Sequence, residues 1–345
     1  MNGRLENDLR IYRKIEVSLK DYPRFIIDWY FFLKANKRTA ATCRDYMTKI
    51  INFLSFINED IKSVTPEDIT DQIVIQYFIK TQTKDIVKDG KEITEYTSDS
   101  YQQCIWSCLN SLFTYLENEN KIERNFIEKL KIQRPKNKDL ARINRHRILL
   151  TEEDFKAIMK SVENGAGSNK AKGYQKRYIN RDKCMLNIFM TTGVRKSALA
   201  SINIEDIDFD KKILMVIDKG SIIHEYNLSD TTIQLIKAWL RDRNEIMEEL
   251  HCDALFVSKE LQRISVKSID KIVKKYSLDA LGYSISPHKL RAGFISIIQS
   301  KTHDIEFTRR VAGHANVSTT QRYIVTDNTE RKQASAMMEN LLGEE

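Results

Sequence analysis

Apolar residues recur at helical spacing through the first third of the chain. In residues 39–57 and 98–117 they fall on one face, with the three-to-four spacing of an amphipathic helix. Thr65-Pro66-Glu67-Asp68 has the composition of a helix start, and a turn or short hairpin is expected around Asp89-Gly90. Residues 22–130 therefore predict a compact α-domain of about four to five short helices without a strand.

Helical periodicity returns beyond Leu150 and is interrupted by a short β-region. Thr151-Glu152-Glu153-Asp154 is a capping-box variant that predicts a helix start. Residues 212–217 and 222–228 predict two short strands that flank a Lys219-Gly220 turn. The predicted fold class is mainly α with a small antiparallel sheet (α+β). Further helices are predicted at residues 177–190, 229–251, 265–276, 287–300 and 304–312.

A basic segment without periodicity separates the two regions. It contains Pro135 and many charged residues, which is typical of a linker. We predict an N-terminal extension (1–21), a helical domain (22–130), a basic linker (131–148), a second domain (149–328) and a C-terminal helical tail (329–345).

The chain is modestly basic. Lysine and arginine outnumber aspartate and glutamate by 56 to 48, for a net charge of +8 and a pI near 9.0; this charge alone supports a nucleic-acid partner only weakly. The basic residues concentrate in two blocks, 131–147 and 169–183. Each block either neutralises several phosphates of DNA or is a solvated linker or loop. The candidate DNA contacts are Arg134, Lys136, Lys138, Arg142, Arg145, Arg147, Lys170, Lys172, Lys176 and Arg177.

Nothing in the sequence predicts a membrane or a metal partner. The longest apolar stretch, residues 25–33, is interrupted by Asp28 and is far shorter than the roughly 20 residues of a spanning helix. The charged N-terminus lacks the apolar region of a signal peptide. Cys104 and Cys108 lie one helical turn apart and are expected to be buried, reduced thiols. We expect a cytoplasmic protein without metal or other cofactor.

The candidate chemistry lies in the second domain. Arg195 follows a Thr-Gly break and is expected at a helix N-terminus, and Arg291 lies one helical turn after His288. Guanidinium groups are permanently charged and donate two parallel hydrogen bonds. They therefore suit the negative charge that develops on a phosphodiester during displacement. An isolated arginine is more often a solvated charge, but the later His314 and Tyr323 favour a catalytic set.

Tyr323 is the candidate nucleophile and lies nine residues after His314 in a polar stretch rich in Ser and Thr. A phenol with a pKa near 10 needs a base or electrostatic help at neutral pH. His288 and His314 are the available imidazoles. These residues form a metal-free means of transferring a phosphodiester to a phenol.

Lys219 is the candidate general acid. The 5′-oxygen of DNA is a poor leaving group unless it is protonated, and a lysine in a mobile turn between two strands could deliver that proton. Lys211 and Lys212 lie nearby and compete with Lys219 for the role.

These residues stand in boxes that resemble those of the tyrosine recombinases, the family of phage integrases and Xer-type recombinases. Thr192-Gly193-Val194-Arg195 looks like the family's Thr-Gly-Leu-Arg box, and His288-Lys289-Leu290-Arg291 looks like its His-x-Leu-Arg box. Gly313-His314 with the following Ser318-Thr319-Thr320-Gln321-Arg322-Tyr323 is similar to its Gly-His…Tyr box. The resemblance covers about residues 20–340.

The resemblance implies an architecture and an activity. The helical domain would be the SAM-like, core-binding half of a C-shaped clamp around duplex DNA, and the second domain would be the tyrosine-recombinase catalytic domain. Cleavage would form a transient 3′-phosphotyrosyl link and a free 5′-hydroxyl, without metal, cofactor or external energy source. The implied catalytic residues are Arg195, Lys219, His288, Arg291, His314 and Tyr323.

The resemblance also implies partners. It predicts a homo-tetramer on two DNA duplexes, with an accessory DNA-bending or directionality factor as a further candidate. The tail carries Ala334, Met337, Met338, Leu341 and Leu342 at helical spacing. It either packs on its own domain or docks into a neighbouring protomer, as the family's terminal helix often does.

Three positions depart from the family pattern. Ala198 stands where an acidic residue usually follows the first arginine, Ala292 replaces a frequent histidine, and Ala312 replaces a leucine. None of these changes removes a catalytic group. Ala198 leaves a supporting carboxylate either missing or supplied by another element, which would lower the activity or shift its pH dependence.

The leading hypothesis is a site-specific DNA recombinase or integrase that serves a mobile element. A type IB topoisomerase-like relaxing enzyme would use the same chemistry, and a DNA-binding relative could have lost catalysis, although the complete residue set argues against that loss. A metal-dependent nuclease is disfavoured because no acids cluster at ligand spacing. Only about twenty residues precede the helical domain, so we expect a recombinase without a separate arm-site-binding domain.

Overall fold

The computed structural model describes residues 3–88, 90–130, 150–217, 223–313 and 320. The chain divides into two compact units, residues 5–137 and residues 1–4 together with 138–345. Each unit has its own large apolar core. We call the first the helical unit and the second the catalytic unit, after the activity that the sequence predicts for it.

The helical unit buries the apolar faces of its helices against one another. Trp29, Ile50 and Leu112 lie in its core. Ile15 and Leu19, which precede residue 22, belong to the same core. Its helices are α1 (Gly3–Ser18, within the unit from Leu5 onward), α2 (Arg24–Ala35), α3 (Ala40–Ile57), α4 (Asp71–Thr81) and α5 (Asp99–Asn118).

Side-chain caps set several of these helix starts. Thr39 caps α3 and Ser98 caps α5 by accepting hydrogen bonds from amides of the first turn, so both predicted starts are confirmed. The capping box of Thr65 and Asp68 begins only a short 3-10 turn, and α4 starts after a second cap, Thr70.

A β-hairpin joins α4 to α5, so the prediction of a strand-free domain is wrong, whereas the hairpin expected around Asp89-Gly90 is confirmed. Its strands are β1 (Thr83–Lys88) and β2 (Lys91–Tyr96), antiparallel and paired from Thr83↔Tyr96 to Lys88↔Lys91. Neither strand shows the alternation of apolar and polar residues that predicts a half-buried strand from the sequence.

The catalytic unit packs its helices mainly against one another, beside a small sheet. A capping box of Thr151 and Asp154 starts α6, as predicted. The helices of this unit are α6 (Glu152–Asn164), α7 (Asn169–Gln175), α8 (Ile179–Thr192), α9 (Lys196–Ser201), α10 (Asp230–Met247), α11 (Val266–Leu281), α12 (Pro287–Thr302) and α13 (Ile305–Ala312).

The sheet of the catalytic unit is antiparallel, with the order β3-β4-β5. β4 (Ile213–Ile217) and β5 (Ile223–Asn227) confirm the two predicted strands, and β3 (Ile207–Asp208) adds a short third strand. One end of the β4–β5 pair is Ile213↔Asn227, and the other is Ile217↔Ile223.

The cysteines differ in burial. Cys108 is buried, as expected, but Cys104 is exposed, so the expectation of two buried thiols is wrong for Cys104. The two residues lie one turn apart on α5, where Cys108 is within the buried face and Cys104 lies at its border. Within the part of the chain that the structure describes, no helix is long and apolar enough to cross a membrane.

Candidate active site

Arg291 connects the three sequence boxes. It projects from the first turns of α12 and is only 3 % exposed. Its guanidinium donates one hydrogen bond to the backbone carbonyl of Gly193 and another to that of Ala312. Gly193 ends α8 and Ala312 ends α13, so one side chain joins the ends of two helices to a third. Residues about 100 positions apart in sequence thereby become neighbours.

Gly193 is required by both conformation and space. It has a φ of +62°, in the left-handed region that disfavours side chains with a Cβ. A Cβ added at Gly193 would lie 2.3 Å from Cδ1 of Phe294, one helical turn after Arg291. The turn therefore brings the backbone close to α12, and this closeness lets the Gly193 carbonyl accept the hydrogen bond from Arg291.

Arg195 and His288 lie at the starts of two helices, as predicted. Arg195 is the N-cap residue of α9, with an extended backbone, and is half-buried. His288 follows Pro287, the first residue of α12, and is solvent-exposed. His288 and Arg291 are three residues apart on one helix, so both can face the same region.

Two further side chains reach this region from β5. The charges of Arg195 and Arg291 act on both His224 and Tyr226, and the side chains of Tyr226 and Arg291 share a hydrogen bond. A Cβ on Gly313 would come within 2.7 Å of Cε1 of His224. Burial raises the pKa of Tyr226, although the two arginines lower it. The phenol of Tyr226 therefore stays protonated and acts as a hydrogen-bonding partner.

His224 and Tyr226 were not predicted from the sequence. They are two residues apart on one strand, so their side chains point to the same face of the sheet, and both are half-buried where their strand neighbours are exposed. That alternation, close after the Lys219 turn, was the signal that could have identified them. Tertiary packing, and not the local sequence, determines which face of β5 lies beside Arg195.

Arg195 and Arg291 also contribute to lowering the pKa of two histidines, His288 and His224. Desolvation lowers the pKa of His288, and so do the neighbouring cations Arg291, Lys289, Lys196 and Arg195. Desolvation and then Arg195 and Arg291 lower the pKa of His224. Because His288 is exposed to solvent overall, we attribute its lowered pKa chiefly to the cations. Both imidazoles are therefore neutral at pH 7, and able to accept a proton.

Neutralising Arg195 is expected to raise the pKa of both histidines, whereas neutralising Lys196 is expected to raise that of His288 only. Arg195 acts on both imidazoles and Lys196 acts on His288. NMR titration of the ring resonances in Arg195→Gln and Lys196→Gln measures this directly. Equal shifts of His224 in both variants would contradict the arrangement.

The same lowered pKa values make folding stability depend on pH. Below the ordinary histidine pKa of about 6.5 the unfolded chain binds more protons than the folded chain. The free energy of unfolding therefore falls as the pH drops from about 6.5 through the lowered folded-state values. In the His224→Gln variant this dependence should be weaker.

Lys219, His314 and Tyr323 lie outside the described residues. The neighbours that precede them are described: Ile217 ends β4, and Gly313 caps α13 with a φ of +61°. Lys211 and Lys212, the competitors of Lys219, lie at the opposite end of β4. They form ion pairs with Asp208 at 3.5 Å and with Asp230 at 2.6 Å.

The candidate DNA contacts are described only in part. Lys176 and Arg177 are exposed and Lys172 is half-buried, all on or just after α7. Arg181, in the same basic block, is instead buried and paired with Asp182 at 2.8 Å. The side chain of Lys170 lies outside the described part, as do Arg134, Lys136, Lys138, Arg142, Arg145 and Arg147.

Ala198 is buried on α9, three residues after Arg195. An acidic side chain at this position would therefore be enclosed beside the site. Among the described residues, no group of three or more His, Cys, Asp or Glu side chains could hold a metal ion.

Comparison with known proteins extends this picture. A sequence model described as the phage integrase family matches residues 148–330, which contain every candidate catalytic residue. The chain belongs to the phage integrase family. Tyrosine recombinase XerC of Psychromonas ingrahamii (strain DSM 17664 / CCUG 51855 / 37) is 27% identical over 311 residues, which cover 88% of this chain and 92% of XerC.

Solved structures of a recombinase and of an integrase have the same fold. The XerH site-specific recombinase bound to difH substrate has a TM-score of 0.60 at 18% identity, over 89% of this chain and 82% of XerH. A lambda integrase tetramer bound to a Holliday junction has a TM-score of 0.54 at 13% identity, over 87% of this chain and 76% of the integrase. The predicted fold class and the predicted enzyme class, a tyrosine recombinase, are both confirmed.

Proposed function

We propose that this protein cuts and rejoins duplex DNA at specific sites through a 3′-phosphotyrosyl intermediate on Tyr323. The observation that carries the proposal is the pair of hydrogen bonds from Arg291 to Gly193 and Ala312. These bonds join Arg291 to Gly193, two residues before Arg195, and to Ala312, two residues before His314. The three boxes therefore serve a single site.

The site binds one phosphodiester between its arginines. Arg195 and Arg291 supply donors for the non-bridging oxygens, on which negative charge increases in the transition state. Arg291 is buried and anchored at two points, so little reorganisation is needed when DNA binds. His224 and Tyr226 complete the polar lining of the site.

The reaction exchanges one phosphorus–oxygen bond for another. The Tyr323 oxygen attacks phosphorus as its proton passes to a neighbouring imidazole, His288 or His314, and the bond to the 5′-oxygen breaks. Lys219 gives a proton to that oxygen, which leaves as a hydroxyl group. Rejoining reverses these steps, so the phosphodiester energy is kept and no cofactor is required.

Lys219 is favoured over its competitors by its position in the sequence, close after the end of β4. Burial and the charges of Arg195 and Arg291 lower the pKa of His224, and His224 pairs with Val216 near the Ile217 end of β4. Lys219 follows that end by two residues, whereas Lys211 and Lys212 lie about 13 Å away along the strand and are paired with carboxylates. We therefore assign the general-acid role to Lys219.

We propose double-stranded DNA as the substrate and a homo-tetramer on two duplexes as the working assembly. The XerH structure holds DNA and the lambda integrase structure is a tetramer on a Holliday junction, and this chain shares their fold. The basic segment around the predicted linker and the exposed Lys176 and Arg177 would contact phosphates. Three points remain predictions: a role in a mobile element, an accessory DNA-bending or directionality factor, and docking of the C-terminal tail into a neighbouring protomer.

Covalent trapping tests the proposed chemistry. The protein is incubated without metal with a duplex that carries its recombination site and a nick beside the cleavage position, which prevents religation. We expect a protease-sensitive protein–DNA adduct, and we expect Tyr323→Phe to abolish it while DNA binding is retained, because the phenylalanine lacks the attacking oxygen.

A control variant and two contrary outcomes separate the alternatives. Tyr283→Phe is a matched control, since Tyr283 belongs to the catalytic unit but lies outside the three boxes, and it should trap normally. Tight DNA binding without any adduct would indicate a binding protein that has lost catalysis. Relaxation of supercoiled DNA without strand exchange would favour the topoisomerase-like alternative.

A further inference from the structure

The hairpin of the helical unit is open along β2. In the described part of the chain its sheet contains only β1 and β2, so no third strand pairs with β2. Every residue of β2 is exposed, with Tyr96 84 % and Ile93 36 % exposed. A two-stranded hairpin alone is marginally stable in water, so an exposed six-residue edge calls for a partner.

The backbone groups of this edge follow from the turn. The two-residue connection closes on Lys88↔Lys91, and the closing pair of such a hairpin exchanges its backbone hydrogen bonds across the two strands. Ile93 and Glu95 then also face β1. Glu92, Thr94 and Tyr96 therefore direct their N–H and C=O groups outward, where another strand can pair with them.

We propose that β2 pairs with β2 of a second copy of this chain, antiparallel and with two-fold symmetry about Ile93. In this register Ile93 lies opposite Ile93 of the other copy. Lys91 lies opposite Glu95, and the symmetry repeats this ion pair on the other side. Glu92 and Thr94 then form the hydrogen-bonded pairs, which agrees with the outward direction of their backbone groups.

The alternative two-fold registers of β2 are less favourable. Centring between Ile93 and Thr94 places Glu92 opposite Glu95, and centring on Glu92 places that carboxylate opposite itself; like charges directly opposite destabilise a sheet. Centring on Thr94 places Ile93 opposite Glu95 twice. Among these registers, the one centred on Ile93 alone sets unlike charges opposite each other and apolar against apolar.

The pairing would build a four-stranded sheet with an apolar row at its middle. Ile86 faces Ile93 within each hairpin, so the row continues through both copies. One six-residue strand per copy buries less than the roughly 1,200 Å² of a stable protein–protein interface. The contact therefore acts where other contacts or DNA already concentrate the protein, and it is weak in dilute solution.

Cysteine cross-linking tests the register. In a Cys104→Ser, Cys252→Ser background, which removes the cysteines that are not buried, Ile93→Cys should form a disulfide-linked dimer on mild oxidation. Directly opposite residues of a non-hydrogen-bonded pair approach closely enough for a disulfide. Val87→Cys is the matched control, because Val87 is more exposed, at 71 %, yet lies on β1, which the proposed pairing does not use.

A charge exchange tests the ion pairs independently of cysteine reactivity. Lys91→Glu and Glu95→Lys, each added to the Ile93→Cys protein, should each reduce the cross-linking yield several-fold, since each places like charges opposite each other twice. The double variant restores both pairs with reversed sign and should recover the yield. The same measurements with and without nonspecific duplex DNA show whether the edge contacts protein or DNA.

The outcomes are separate from those of the trapping experiment, because the hairpin lies outside the catalytic unit. Equal cross-linking of Val87→Cys and Ile93→Cys would overturn the proposed register. Failure of the double variant to recover would overturn the ion pairs. Loss of cross-linking when DNA is added would assign the edge to DNA instead of a second copy.

Discussion

Arg291→Met is expected to lower the rate of DNA cleavage by roughly 10³-fold, because it removes a preorganised cation from the transition state. It should also lower the free energy of unfolding. The carbonyls of Gly193 and Ala312 lose their shared donor, and each buried polar group left unsatisfied costs about 1–3 kcal/mol. Suicide-substrate cleavage and denaturant unfolding measure the two effects.

Arg263→Met separates catalysis from folding. Arg263 is also a buried arginine of the catalytic unit that donates to backbone carbonyls, those of Ala200 and Ile202. Its loss should destabilise the unit by a similar amount, while the folded fraction still cleaves DNA. Equal loss of cleavage per folded molecule in the two variants would mean that Arg291 has only a structural role.

Arg291→Lys refines the same test. A lysine keeps the charge, but a single ammonium group on a flexible chain cannot reproduce the planar fork that reaches two carbonyls. We expect cleavage between that of the original protein and that of Arg291→Met, with DNA affinity close to the original. A large loss of DNA affinity with an unchanged cleavage rate would contradict the role assigned to the fork.

Local sequence signals predicted most elements of this fold. Thr39, Ser98 and Thr151 each supply an oxygen that satisfies an otherwise unpaired helical amide, and such short-range chemistry can be read directly from the sequence. The apolar stripes of α3 and α5 can also be read from the sequence, because each helix must bury one apolar face. The β4 and β5 strands were also predicted from the sequence, as two short segments on either side of the Lys219-Gly220 turn.

The features that were not predicted depend on contacts between residues that are distant in sequence, or belong to residues that are barely buried. β2 of the hairpin is exposed on both faces, and neither hairpin strand has the apolar alternation of a half-buried strand. Cys104 lies at the border of the α5 stripe, where spacing alone does not decide burial. His224 and Tyr226 became candidates only when β5 was placed beside the arginines.

Gly193 combines a local feature that the sequence predicts with long-range contacts that it does not. The sequence marked it as a helix-ending glycine in a family box, and its left-handed conformation follows from that position. Its contact with Phe294 and its hydrogen bond from Arg291 span about 100 residues and could not be inferred from local pattern. The resemblance of the boxes placed these residues in one site without stating what holds them there.

Gly193→Ala is expected to destabilise the protein by about 2–5 kcal/mol. The left-handed backbone costs a residue with a Cβ about 1–2 kcal/mol, and the added methyl group adds about 1–3 kcal/mol of overpacking against Phe294. The backbone shift that relieves the clash would also move the carbonyl that accepts from Arg291. Denaturant unfolding and suicide-substrate cleavage both report the change.

Gly282→Ala isolates the second cost. Gly282 also caps a helix, α11, with a φ of +76°, but a Cβ there would meet nothing within 4 Å. It should therefore lose only the backbone part, about 1–2 kcal/mol, and keep its cleavage rate. The difference between the two variants measures how tightly the Gly193 turn is pressed against α12. If that difference is close to zero while cleavage in Gly193→Ala is unchanged, the turn does not position Arg291.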